Sequence, residues 1–147
     1  MTDSIPLPGL IQRAYQSADA AITSGLRRRG FDVTRAHSSV LANIDIETGT
    51  RLTVLADRAS VTKQAIGQVV AELESKGFVK RVPDPQDGRA KLIRLTAKGR
   101  KLIAAAYEVI ERIEGAVVKE VGGEGVEAAR VTLAALVRAA EEVTAER

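Results

Sequence analysis

The chain has 147 residues, 45% of them hydrophobic and 28% charged, with a net charge of +3, an ordinary balance for one globular domain. It has no cysteine and a single histidine, His37, which excludes disulfides, thiol redox sensing and a multi-histidine metal site within one chain. No apolar run approaches the roughly 20 residues that a membrane-spanning helix needs, and the opening MTDSIPLPGL has neither a basic n-region nor a long apolar h-region, so a cytoplasmic protein with no membrane partner is expected.

In chain order, Leu10, Ile11, Tyr15, Ala18, Ile22 and Leu26 recur at helical spacing behind Pro6 and Pro8, which predicts a long first helix. It should end near Gly30, with Arg27, Arg28 and Arg29 in its last turn, where cations favour the helix dipole. Thr34 caps a second predicted helix over 34–45. ETGT (47–50) reads as a loop, 52–58 as a short helix and ASVT (59–62) as a tight turn. Thr62 then caps a longer helix that ends at Lys76, with Gly77 just past it.

Two strands are predicted next, over 78–82 and 90–95, joined by the turn cluster 83–88 as a hairpin with a long tip. Thr96 caps a long helix carrying Leu102, Ala106, Val109, Ile113 and Val117 on one face. GGEG (122–125) breaks it, and a last helix follows with Ala129, Leu133, Leu136, Ala140 and Val143. The predicted fold class is mainly α with a small β-hairpin. The order of short helix, tight turn, longer helix and hairpin is that of a winged helix-turn-helix.

Charge follows the same division. Residues 1–50 hold five basic and five acidic side chains, residues 51–101 twelve and five, and residues 102–147 five and nine. A basic middle between neutral and acidic ends is the pattern of a local polyanion-binding surface, or of a merely solvated one. On the helix after Thr62, Ile66, Val69, Val70 and Leu73 share one face, and Gln64, Gln68, Ala71 and Ser75 the opposite one, flanked by Lys63 and Gly67. Glutamine bonds adenine N6 and N7 in a major groove, and alanine meets a thymine methyl. Gly67 costs a helix interior about 1 kcal/mol, which close approach to a DNA backbone would explain. Glu72 and Glu74 lie to the sides of that face.

In the hairpin, Arg89 near the tip suits a minor groove, where A·T-rich sequence enhances negative potential. Asp87, two residues earlier, is expected to hold either the guanidinium or the turn backbone. Lys80, Arg81, Lys91, Arg94 and Lys98 are candidates for phosphate contact, although alternation along a strand prevents all of them from facing one side.

The stretch LADRASVTKQAIGQVVAELESKGFVKRVPDPQDGRAKLIRLTAKG (55–99) resembles the core of the MarR family of bacterial transcriptional regulators. That family's signature, an Asp-x-Arg wing leading into a Leu-Thr-x-x-Gly helix start, is met by Asp87, Arg89, Leu95, Thr96 and Gly99, and Thr62, Lys63, Gln64, Leu73, Lys76, Gly77 and Arg81 also fall where the family has such residues. Gln68, Gly67 and Gly88 depart from it, standing where arginine, serine or threonine, and a basic residue are common.

The resemblance implies one MarR-like domain over 1–147. Its DNA-binding lobe would cover 34–99, with the helix-turn-helix at about 52–76 and the wing at about 79–95, and the helices 7–30 and 97–145 would form a homodimer. The acidic, apolar terminal helices suit such helix–helix contact. The function implied is a repressor on a pseudo-palindromic operator in double-stranded DNA, with half-sites about one helical turn apart. Its expected DNA contacts are Thr62, Lys63, Gln64, Gly67, Gln68, Arg81, Asp87, Arg89 and Lys91.

The family's response to small, often anionic, aromatic ligands implies an effector crevice, for which Arg13, Tyr15 and His37 are the candidates. The plainer readings are core packing at the dimer helices for Tyr15 and a surface or interface place for His37. The non-cationic centre of the helix face leaves a protein-binding winged-helix module as the alternative. No Gly-rich phosphate loop, nucleophile–histidine–acid set or metal cluster supports an enzyme, and no cofactor is expected.

Overall fold

The computed structural model describes residues 5–146. Its elements are α1 (Leu7–Arg28), α2 (Arg35–Leu41), β1 (Thr50–Arg51), α3 (Leu52–Ala59), α4 (Lys63–Ser75), β2 (Val79–Asp84), β3 (Asp87–Leu95) and α5 (Ala97–Ala145). They fall into two compact units, Met1–Val109 and Ile110–Arg147.

In the first unit α1 starts at the predicted prolines, keeps Arg27 and Arg28 in its last turn, and ends at Arg28 with Arg29 capping it. The second helix is shorter than predicted. It ends at Leu41 instead of residue 45, because polar side chains there bond to nearby backbone in place of the helix ladder. The Asn43 amide donates to Ser39 O at 2.8 Å, and the Asp45 carboxylate accepts from the Glu47 and Thr48 N–H groups at 3.0 and 2.9 Å.

The predicted loop 47–50 also hides a strand. Thr50 and Arg51 pair antiparallel with Ile93 and Leu92, so the hairpin is completed into a three-stranded sheet ordered β1-β3-β2. A two-residue strand has no periodicity to read, which is why sequence reasoning missed it. The core lies between the sheet and the helices. Leu26, Val33, Leu55, Val70, Leu73, Phe78, Ile93 and Leu102 are all buried in one cluster, and the Phe31 and Phe78 rings meet at 6.3 Å.

The start of α5 explains the Leu-Thr-x-x-Gly pattern. The Thr96 hydroxyl accepts from Gly99 N–H at 3.1 Å, which caps the helix, and donates to Gly77 O at 2.5 Å. Thr96 N–H donates to Phe78 O at 3.0 Å. A Cβ at position 99 would stand 2.1 Å from that same Phe78 oxygen, so only glycine lets the helix sit so close to β2. Leu95 is buried beside it.

In the second unit the helical conformation is interrupted at Gly122, with φ 74° and ψ 169°, as the GGEG stretch predicts. A positive φ of this size is readily reached only without a side chain. Within this unit Arg130 pairs with Glu114 at 3.6 Å.

Candidate nucleic-acid interface

The helix-turn-helix is built by local rules. Ser60 closes α3 in the left-handed region at φ 52°, and Val61 N–H returns to Ala56 O at 3.1 Å. Thr62 then starts α4, its hydroxyl accepting from Ala65 N–H at 3.1 Å. The helix buries Ile66, Val70 and Leu73. Lys63, Gln64, Gln68, Ala71 and Ser75 are exposed. Gly67 is half-buried, and a Cβ added there would meet nothing nearer than Leu52 Cδ2 at 3.8 Å. Packing inside the protein therefore does not demand a glycine at this position.

The wing differs from its expected outline. The strands run on to Asp84 and resume at Asp87, so only Pro85 and Gln86 turn, and the expected long tip of 83–88 is absent. The β3 strand likewise begins three residues before the predicted 90. Proline at 83 and glycine at 88 mimic turn residues, but both sit where the ladder is irregular.

The register slips between Pro83↔Lys91 and Asp84↔Asp87, which leaves Gly88, Arg89 and Ala90 without partners on β2. Arg89 therefore stands on a bulge beside the tip. Asp87 accepts from the Arg89 backbone N–H at 3.1 Å, so its carboxylate is bound to the turn backbone. The Arg89 and Lys91 side chains are exposed, and among the described residues neither has an acidic partner within ion-pair distance.

Two residues that sequence reasoning passed over brace the wing. Asp84 is 7% exposed and takes both Arg51 Nε at 2.7 Å and its terminal nitrogen at 2.6 Å on one oxygen, while the other oxygen accepts from Gln86 N–H at 2.9 Å. The Gln86 N–H first, and then Arg51, hold the Asp84 carboxyl below its ordinary pKa. Arg51 in turn belongs to β1 and directly precedes α3. An aspartate and an arginine 33 residues apart give no local signal.

Several expected phosphate-binding cations are otherwise engaged. Arg94 donates to Glu47 O at 2.6 Å, and Lys98 donates to Lys76 O at 2.8 Å while lying over the Phe78 ring at 4.6 Å. The Arg81 guanidinium bonds Glu74 at 3.2 Å.

The three effector candidates do not share a site. Arg13 and Tyr15 are exposed on α1, with the Arg35 guanidinium 5.5 Å from the Tyr15 ring. His37 is 1% exposed, so it is neither a surface residue nor open to a crevice. Both its ring nitrogens are used, Nδ1 by Thr34 N–H at 3.1 Å and Nε2 by Glu72 at 2.9 Å. An open cavity of about 370 Å³ instead lies along α1, lined by Gln16, Asp19, Ala20, Thr23, Ser24, Arg27 and Arg35.

Comparisons with known proteins agree with this architecture. Residues 31–90 match the MarR family. The transcriptional regulator HosA of Escherichia coli O111:H- is 30% identical over 93 residues, 63% of this chain and 69% of that protein, although other HosA sequences are spanned over 62% of their length. The HTH-type transcriptional regulator YdcH of Bacillus subtilis (strain 168) is 32% identical over 114 residues, 74% of this chain and 76% of that protein. The crystal structure of CouR from Rhodococcus jostii RHA1 bound to p-coumaroyl-CoA superposes with a TM-score of 0.72 at 27% identity, covering 89% of this chain and 91% of that one. The signature residues, the three-stranded winged helix and these likenesses together make the chain a member of the MarR family of transcriptional regulators.

Proposed function

We propose that the chain acts as a homodimeric, sequence-specific repressor that sets α4 into a major groove and Arg89 into the adjacent minor groove. The observation that carries this reading is the pairing of an exposed, uncharged, hydrogen-bonding face on α4 with free cations on the bulged β3 strand. Gln64 and Gln68 read base edges, with adenine as the natural partner. Gly67 admits the DNA backbone, and Thr62, which caps α4, lies with Lys63 at the end that faces phosphate. Lys91 and Arg89 add phosphate and minor-groove contact, with Asp87 fixing the turn that carries Arg89. Arg81 serves mainly through its bond to Glu74.

Apolar surface supports the dimer. Leu7, Leu10 and Tyr15 are exposed on α1, and Val117, Val121, Val131 and Val137 are exposed in the second unit. A second copy of the chain would cover them, and its two-fold axis would impose a pseudo-palindromic operator. The cavity along α1 is lined by Arg27 and Arg35 but also by Asp19, which pairs with Arg35 at 3.1 Å, so an anionic effector there would compete with Asp19 for Arg35; CouR's p-coumaroyl-CoA supports testing aromatic acids and their CoA thioesters first.

Selection of bound fragments from the source genome, repeated with such acids present, tests the reading. Recovery of one pseudo-palindromic motif, released by an effector, is the expected result. Binding without sequence preference at physiological salt would favour the protein-interaction module, which the uncharged centre of the α4 face also suits.

A further inference from the structure

His37 and Glu72 are absorbed by neither the DNA contacts nor the effector cavity. The imidazole is 1% exposed and joins two helices. Its Nδ1 accepts from Thr34 N–H at 3.1 Å, while the Thr34 hydroxyl accepts from His37 N–H at 3.3 Å, a reciprocal box that starts α2. A ring nitrogen that accepts a hydrogen bond carries no proton, so the neutral ring has its proton on Nε2. That proton points at the Glu72 carboxylate of α4, 2.9 Å away.

Glu72 sits one turn beyond Gln68, beside the face proposed to read DNA. Loose, its carboxylate would swing over that face and repel phosphate. Glu74, on the opposite flank, is bonded by Arg81 of β2 at 3.2 Å. Both carboxylates of α4 are thus drawn aside, one towards α2 and one towards the wing. The two bonds differ in what anchors them: Glu72 is itself half exposed, but its partner is buried. Arg81 and Glu74 are both partly solvated, and such pairs contribute little. The imidazole of His37 is fixed by burial and by its second hydrogen bond.

We infer that His37 is the positioning residue of the recognition helix. It clamps Glu72 through Nε2–H, which pins the rotation of α4 and keeps its carboxylate off the DNA. This rests on the reading of α4 as the recognition helix. His37 does not touch DNA and acts only through where Glu72 and α4 lie.

The test measures affinity for the best fragment recovered by the wild-type chain and for a random duplex of equal length. Glu72→Ala and His37→Asn should each lower the preference for the selected fragment roughly tenfold, the worth of one hydrogen bond to a charged group; random-duplex affinity should be unchanged or higher in Glu72→Ala, which removes the carboxylate, and lower in His37→Asn, which frees it. In His37→Asn the amide oxygen takes the place of Nδ1 as acceptor, so the α2 box is kept while the clamp is lost. Glu72→Gln keeps an acceptor for Nε2–H and should retain most of the preference. The double variant should be no worse than either single one.

As the only histidine, His37 also gives unambiguous ¹⁵N signals, expected to show the Nε2–H tautomer. Wild-type preference in Glu72→Ala, or an Nδ1–H tautomer, overturns the inference. If His37→Asn does not fold, Glu72→Ala decides, because its side chain is 53% exposed. A Gln68→Ala variant separates the two levels. If it loses the preference and Glu72→Ala does not, the clamp fails and the recognition helix stands. If it keeps the preference, or the wild type has none, both fail.

Discussion

Gly99 and Gly67 are both helical glycines, and alanine at each should change stability in opposite directions. At position 99 the new methyl would lie 2.1 Å from Phe78 O, 3.1 Å from Phe78 C and 3.3 Å from Leu95 Cδ2. Two of those atoms are backbone and cannot rotate away, so α5 must lift from β2. Overpacking of this kind costs roughly 1–3 kcal/mol. The lift also stretches the Thr96 N–H bond to Phe78 O, now 3.0 Å, worth roughly 0.5–1.5 kcal/mol. The gain in helix propensity returns at most about 1 kcal/mol. The net expectation is a loss of roughly 0.5–3.5 kcal/mol, centred near 2, which for a chain of this size lowers Tm by several degrees.

At position 67 the nearest neighbour would be Leu52 Cδ2 at 3.8 Å, an ordinary contact, so the propensity gain of about 1 kcal/mol should appear as a Tm higher by a few degrees. Urea and thermal unfolding followed by circular dichroism, at equal protein concentrations, measure both. A Gly99→Ala protein as stable as wild type would refute the close approach of α5 to β2. The Gly67→Ala protein carries a second readout, because close approach to the DNA backbone is the reason proposed for that glycine. It should bind the selected operator more weakly while being more stable, and unchanged binding would remove the reason proposed for that glycine.

Other expectations are open to direct measurement. Arg89→Ala should remain dimeric and lose roughly 10- to 100-fold in operator affinity, the range for a hydrogen bond to a charged group; full binding would end the minor-groove role. Lys91→Ala should reduce the slope of log affinity against log salt by about one, read from a titration of ionic strength. Leu73→Ala, at a fully buried position, should cost roughly 2–5 kcal/mol by urea unfolding. The Asp84 carboxyl is depressed by the Gln86 N–H and Arg51, so its stabilisation is present above the unfolded value near 3.9 and lost as pH falls through the lower folded value. Asp84→Asn should therefore be less stable at neutral pH and show a shallower decline in Tm below about pH 4.

What could be read in advance depended on whether the signal was local. Thr62, the apolar row Ile66–Val70–Leu73 and Gly77 bracket α4 within one turn at each end, and the helix lies where they say. Gly122 announces the break in the last helical stretch for the same reason, since one backbone conformation needs one residue type. Long-range pairing left no such trace. The strand at Thr50–Arg51 exists only because β3 offers it an edge. Proline and glycine around the wing tip suggested more turn than forms, because an irregular ladder tolerates the same residues as a loop. His37 was misjudged on its own chemistry. A lone polar residue looks accessible until Thr34 and Glu72 are seen to satisfy both nitrogens.

The bracing of the wing by Arg51 has a consequence for the DNA. Arg51 is at once a strand residue, the residue before α3 and the partner of Asp84 beside the turn. The tip end of β2 cannot swing away without breaking this pair to β1, so on the proposed reading the spacing between Arg89 and the α4 face is largely set in the free protein. If α4 and Arg89 enter adjacent grooves as proposed, such a braced reader leaves the compliance to its target. When groove spacing and prong spacing disagree, it is the duplex that must bend or twist, and operators with easily deformed pyrimidine–purine steps between the two contacts would be bound in preference to stiff ones carrying the same contacted bases.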